Sequence, residues 1–92
     1  MEHDAGPVIE AAERLRREGR YAEAADTLRQ ALKRRWPTRT ADVLSYELGR
    51  LLQRRVRDRD AACEHWRGHL QRFAKTRYRT RIEGAMADLR CE

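Results

Sequence analysis

The chain has 92 residues, 40% hydrophobic and 39% charged, which is enough for one domain with a narrow core and too little for two. Nineteen arginines and two lysines against fifteen acidic residues give a net charge of +6, and Val, Ile and Phe are scarce, which argues against a sheet protein. No apolar run is long enough for a signal peptide or a membrane span. Membrane insertion is therefore not expected, and the chain as given reads as cytoplasmic, or as periplasmic if it is a fragment of an envelope protein.

Met1–Gly6 is polar and is expected to fray. Pro7 suits a first helical position, and Val8, Ile9, Ala12 and Leu15 form an apolar stripe that runs to Glu18. Gly19 then offers the left-handed conformation in which many helices end. A second helix is predicted over Tyr21–Arg35, because Tyr21, Ala24, Ala25, Leu28, Ala31 and Leu32 recur at helical spacing. Ala24 and Ala31 are small and two turns apart, so a neighbouring helix can come close. Trp36-Pro37 stops this helix. Thr38 or Thr40 is the expected cap of a third helix, striped by Val43, Leu44, Leu48, Leu51, Leu52 and Val56. Arg57–Asp60 reads as a turn, with Asp58 or Asp60 as the next N-cap. The fourth helix is predicted over Asp60–Phe73, with Ala62, Trp66, His69, Leu70 and Phe73 inward. Ala74–Arg77 is a turn, and Tyr78, Ile82, Ala85, Met86 and Leu89 stripe a fifth helix. The reading is an all-α chain of five antiparallel helices.

Cys63 and Cys91 lie at similar distances on either side of the last predicted turn. In an antiparallel pair they face each other, near the ~5.5 Å Cα separation that a disulfide needs. A bridge there would stabilise the fold by roughly 3.5 kcal/mol on the chain-entropy estimate. The alternative is two free thiols. His65 and His69 share a helix face at i, i+4, but no CxxC or HExxH pattern accompanies them, so no metal is expected. The expectation is a half-buried His69 and a solvated His65. No base or oxyanion site is placed around Cys63, and no phosphate loop is present. No catalytic residue and no cofactor are read, and the chain is not expected to be an enzyme.

Val8–Pro37 resembles one tetratricopeptide (TPR) repeat. Gly19-Arg20-Tyr21 corresponds to the turn between the two helices, and Ala24, Leu28 and Ala31 to the second-helix signature. Leu48-Gly49 matches the first-helix pair of a second repeat, in which Trp66 stands where the first repeat has Leu28. Val8 and Ala11-Ala12 depart from the family's aromatic and Leu-Gly positions. The resemblance implies repeats at about 8–37 and 40–74, a capping helix at about 77–90, and a protein-protein interaction module.

In that family the concave groove is lined by the first helix of each pair. Here that face would carry Ile9, Glu13, Arg16 and Arg17 from the first helix and Tyr46, Arg50, Gln53 and Arg54 from the third, followed by Glu83 and Arg90. Such a basic groove, with Ile9 and Tyr46 as apolar contacts, would take an acidic or extended peptide or a helical partner. The Lys/Asn set of chaperone-binding members is absent. Self-association through apolar end faces is a variant.

The segment Ala62–Cys91 is similar to the ends of repeat modules in bacterial cell-envelope proteins, where such cysteines often match. That resemblance favours the bridge and an oxidising compartment. Two other readings stand beside the interaction module. One is an Arg-rich nucleic-acid binder, based on clusters such as Arg54-Arg55-Arg57-Arg59 and Arg77-Arg79-Arg81. It is disfavoured by interspersed acids and by aromatics on apolar stripes. The other is a small envelope domain stapled by Cys63–Cys91.

Overall fold

The computed structural model describes residues 4–92, so residues 1–3 of the segment expected to fray lie outside the described residues. Asp4 Oδ1 accepts the Gly6 N–H at 2.9 Å, Ala5 is buried, and the first helix starts at Gly6. Five α-helices follow: α1 (Gly6–Arg17), α2 (Tyr21–Ala31), α3 (Thr38–Leu51), α4 (Arg59–Arg72) and α5 (Arg79–Leu89). No strand occurs among the described residues, so the chain is all-α. Each helix packs against the next in sequence.

Gly19 turns α1 into α2 at φ 77°. The N–H groups of Gly19 and Arg20 return to Arg16 O at 3.0 Å and Leu15 O at 2.9 Å, which satisfies carbonyls that the helix end would otherwise leave open. The second helix ends at Ala31, four residues short of the expected Arg35. There the Lys33 and Arg34 N–H groups turn back to Gln30 O and Ala31 O at 3.1 and 3.0 Å, and Trp36 Nε1–H donates to the same Ala31 O at 2.8 Å. Neither Thr38 nor Thr40 caps α3. Pro37 holds the N-cap position, Thr38 is already helical and Thr40 lies in the first turn.

Past Leu51 the α3 ladder widens into a π-helical turn, Leu52–Val56, which the periodicity did not reveal. It closes on Arg57, left-handed at φ 62° without being glycine, and Leu52 O accepts the N–H groups of both Arg57 and Asp58. Of the two expected caps for α4, Asp58 serves: its Oδ1 accepts the Ala61 N–H at 3.1 Å.

The core has two parts. Ala12, Ala24, Ala25, Leu28, Leu44, Leu48, Leu51, Leu52 and Ala62 form the first. Tyr46, Trp66 and Ile82 form the second, with Leu70, Tyr78, Ala85, Met86 and Leu89 against it. Ile9 does not belong to the apolar stripe of α1, being 40% exposed. Trp66, 1% exposed, lies on the bare backbone of Gly49, where any Cβ would fall inside the indole ring. That contact sets the close approach of α3 and α4.

Cys63 and Cys91 are bridged, with Cα atoms 5.5 Å apart. The bond joins the second turn of α4 to the residues just beyond α5. Arg59 reinforces it, donating through Nε to Leu89 O at 2.7 Å and through Nη2 to Arg90 O at 2.5 Å. Both are carbonyls at the helix end, where a cation complements the dipole.

Two substitutions test these contacts by urea unfolding. Cys91→Ser is expected to lower stability by about 3.5 kcal/mol, the loop-closure value for a 28-residue separation. Gly49→Ala is expected to cost about 1–3 kcal/mol through overpacking against Trp66. Gly68→Ala, where an added Cβ meets nothing within 4 Å, is expected to be neutral or stabilising.

Candidate functional site

Two features of the molecule exceed what packing alone requires. The first is a buried polar chain between α3, α4 and the turn before α5. Asp42 Oδ1 accepts from Thr76 Oγ1–H at 2.7 Å and from His69 Nε2–H at 2.8 Å. His69 Nδ1 is then the acceptor for Ser45 Oγ–H at 2.7 Å. His65 Nε2–H donates to the Ser45 carbonyl at 2.7 Å, with Ser45 Oγ 3.1 Å away. Thr76 Oγ1 accepts the Tyr78 N–H at 3.1 Å. In this tautomer, with Nδ1 accepting, the His69 imidazole is neutral.

His69 is therefore fully buried rather than half-buried, and His65 is bonded rather than solvated. Both stand below the ordinary histidine pKa. For each the leading cause is desolvation, opposed at His65 by the Ser45 carbonyl and at His69 by Asp42. Ser45, His69 and Asp42 are bonded in the order of a nucleophilic triad, but Ser45 is 4% exposed and sits mid-helix. Its neighbouring N–H groups are spent on the helix, so no donors remain to hold an oxyanion. The arrangement is a clasp between elements. Among the described residues no cluster of three or more potential ligands could hold a metal ion.

The second feature is a pair of adjoining open clefts on the α1, α3 and α5 side. One, about 490 Å³, is lined by Ile9, Glu13 and Arg16 of α1 and by Val43, Glu47, Arg50, Arg54 and Arg55 on α3 and the π turn. The other, about 400 Å³, is lined by Tyr46, Arg50, Gln53, Arg54, Trp66, Arg81 and Asp88 among others. Arg50 and Arg54 stand between the two. Of the residues expected to line a groove, Ile9, Glu13, Arg16, Arg50 and Arg54 share the first cleft, and Tyr46 and Gln53 lie in the second. Arg17 lines neither and is exposed on α1. Glu83 and Arg90 also line neither cleft: Glu83 lies 3.6 Å from Arg79, and the Arg90 carbonyl is taken by Arg59.

Tyr46 offers little apolar surface to a ligand. It is 8% exposed and stacked on Tyr78, with ring centroids 3.9 Å apart. The sequence reading missed Val43, Glu47, Arg55 and Arg81. Helical spacing places Val43, Glu47 and Arg50 on one side of α3, so the first two were legible. The π turn displaces the register of Arg55.

Glu13 pairs with Arg16 at 2.8 Å, and that bond holds the Glu13 carboxyl below its usual range. Arg50, Arg54 and Arg81 pair with no described carboxylate. Comparison of the chain with protein-family models, with characterised proteins and with solved structures finds no match.

The clasp makes stability depend on pH. Folded His65 and His69 resist protonation more than the unfolded chain does, so the unfolded chain binds more protons below its histidine pKa of about 6.5. The contribution is complete above that pH and is lost as pH falls through the depressed folded values. The urea midpoint is expected to be flat between about pH 7 and 8 and to fall below about 6.5. At pH 7, Ser45→Ala is expected to cost about 1–3 kcal/mol by leaving His69 Nδ1 without its donor.

Proposed function

We propose that the chain is a TPR-like module of two helix pairs, α1–α2 and α3–α4, capped by α5, and that it binds an acidic, extended segment of another protein along the α1, α3 and α5 face. The observation that carries this reading is the pair of adjoining clefts with Arg50 and Arg54 between them. Counted once each, five guanidiniums and three carboxylates line the two clefts, so the face as a whole is net positive. Charge-assisted bonds from Arg to carboxylate are among the stronger polar contacts available to such a site. Ile9 is the one exposed large hydrophobic side chain among the described residues, and it lies at the mouth of the first cleft. An apolar anchor beside basic side chains suits a peptide of mixed acidic and apolar character. The Gly19 turn, the buried Ala24 and Ala31, and the Trp66 contact over Gly49 support the repeat reading.

Nucleic acid is served less well by the same surface. Base stacking needs open aromatic faces. Trp66, Tyr46 and Phe73 are buried. The partly exposed rings of Trp36, Tyr21 and Tyr78 are covered by Arg34, Arg55 and Arg77 at 4.6, 5.5 and 5.2 Å from the ring centroids. Glu13 and Glu47 also interrupt the basic surface.

Isothermal titration tests the proposal with a short glutamate-rich peptide and its glutamine counterpart. The glutamate form is expected to bind and the glutamine form not to. Arg54→Glu is expected to weaken binding at least roughly tenfold without changing the melting temperature, since Arg54 is exposed. Equal behaviour of the two peptides would reject the reading. Tighter binding of a single-stranded oligonucleotide, with steep loss as salt rises, would favour a nucleic-acid ligand instead.

A further inference from the structure

The two clefts differ in a way that a uniform acidic-peptide groove does not require. In the α1/α3 cleft both signs of charge are present, and one arginine is already committed to Glu13. The α3/α5 cleft is almost entirely a donor site. Arg50, Arg54 and Arg81 line it, and none pairs with a described carboxylate. Gln53 lines it too, with its acceptor occupied: Trp66 Nε1–H donates to Gln53 Oε1 at 3.2 Å. That bond fixes the amide and leaves its NH₂ as the end free to donate. The Arg50 guanidinium lies 5.9 Å from the centroid of the Tyr46 ring, which places it over this cleft's wall. Tyr46 is itself held by the stack on Tyr78. Asp88 is the sole acid lining the cleft.

We propose that the α3/α5 cleft recognises a phosphomonoester carried on the bound peptide, a phosphoserine or phosphothreonine side chain, and so makes docking depend on phosphorylation of the partner. The inference rests on the peptide-binding reading above and names the chemistry of one part of that site. Counted once each across the two clefts, five guanidiniums and three acids leave a charge of two to be matched, and Arg50, Arg54 and Arg81 converge on the second cleft. A phosphomonoester supplies about −1.5 to −2 at neutral pH on three acceptor oxygens, whereas a carboxylate or a phosphodiester supplies one. Arg groups meet phosphate oxygens in bidentate pairs, and the Gln53 amide adds a neutral donor. Arg50 and Arg54 also line the first cleft, so a peptide lying there can present a side chain to the second without leaving the face.

The test is isothermal titration of the oxidised protein with three probes. These are the glutamate-rich peptide bearing one central phosphoserine, the same peptide with serine, and phenyl phosphate. Phosphorylation is expected to strengthen peptide binding by roughly tenfold or more. Arg81→Gln is expected to remove that increment and to weaken the serine peptide much less than the phosphopeptide, because Arg81 is exposed on α5 and lines only the second cleft. Arg81→Lys is expected to restore only part of it, since an ammonium cannot pair bidentately. Equal affinity of the two peptides, or an increment that survives Arg81→Gln, overturns the inference. If neither peptide binds, the peptide-binding reading fails, and phenyl phosphate alone decides: binding lost in Arg81→Gln keeps the anion site, and no binding removes it. An oligonucleotide that displaces phenyl phosphate more effectively than the phosphopeptide does would assign the cleft to nucleic acid and overturn the proposal.

Discussion

The carboxylate of Asp42 loses most of its water on folding and must recover hydrogen bonds from the protein, and it takes them from Thr76 and His69. The cost of failing to do so is of the order of 1–3 kcal/mol or more for a charged group, a large share of a small domain's stability. One carboxylate thereby ties together three elements. His69 reaches it from α4, Thr76 from the turn before α5, and Asp42 itself belongs to α3. Ser45 and His65 complete the chain of bonds, and no buried side-chain polar atom among the described residues is left without a partner. Thr76 in turn receives the Tyr78 N–H, so the clasp also fixes the residue that stacks on Tyr46. The wall of the second cleft thus depends on a bond network lying beneath it.

Packing on the same seam is as demanding as the bonding. Trp66 fills the space between α3 and α4 only because Gly49 presents no side chain. The indole N–H then reaches Gln53, one turn further along. Gln53 belongs to the π-helical turn, in which Leu52 stays buried beside Leu51 while Arg54 and Arg55 reach the surface. The row of arginines therefore follows from how α3 must end. The surface ion pairs, such as Arg20 with Glu18 and Glu23, are exposed and contribute little by comparison.

Much of this was legible in the amino-acid pattern. Apolar residues at helical spacing located five helices, Gly19 marked a turn, and the similar offsets of Cys63 and Cys91 from the last turn anticipated their meeting. The end of α2 was not legible, because its last carbonyl is taken by the Arg34 N–H and by an indole five residues away, and periodicity carries no trace of either. The clasp was overlooked for a different reason. Asp42 and Ser45 are polar, and helical residues of that kind are read as solvent-facing by default. Yet Ala41, Ser45, Leu48 and Leu52 fall on one stripe, and a serine there, opposite two histidines spaced i, i+4, was the available signal. Tyr46 shows the converse error. It was read as an outward-facing apolar contact, but it borders the second cleft as a buried ring, and nothing local indicated that Tyr78 would cover it.

The Cys63–Cys91 bond also changes how the molecule carries load. Tension applied at the two ends of the chain passes through the sulfur atoms and bypasses everything between them. The 28-residue span is removed from the extensible length, shortening it by roughly 95 Å of contour at about 3.4 Å per residue. Under force, α1 to α3 can be peeled away in turn, while the α4–α5 hairpin remains a closed loop. Reduction would return that span to the extensible length.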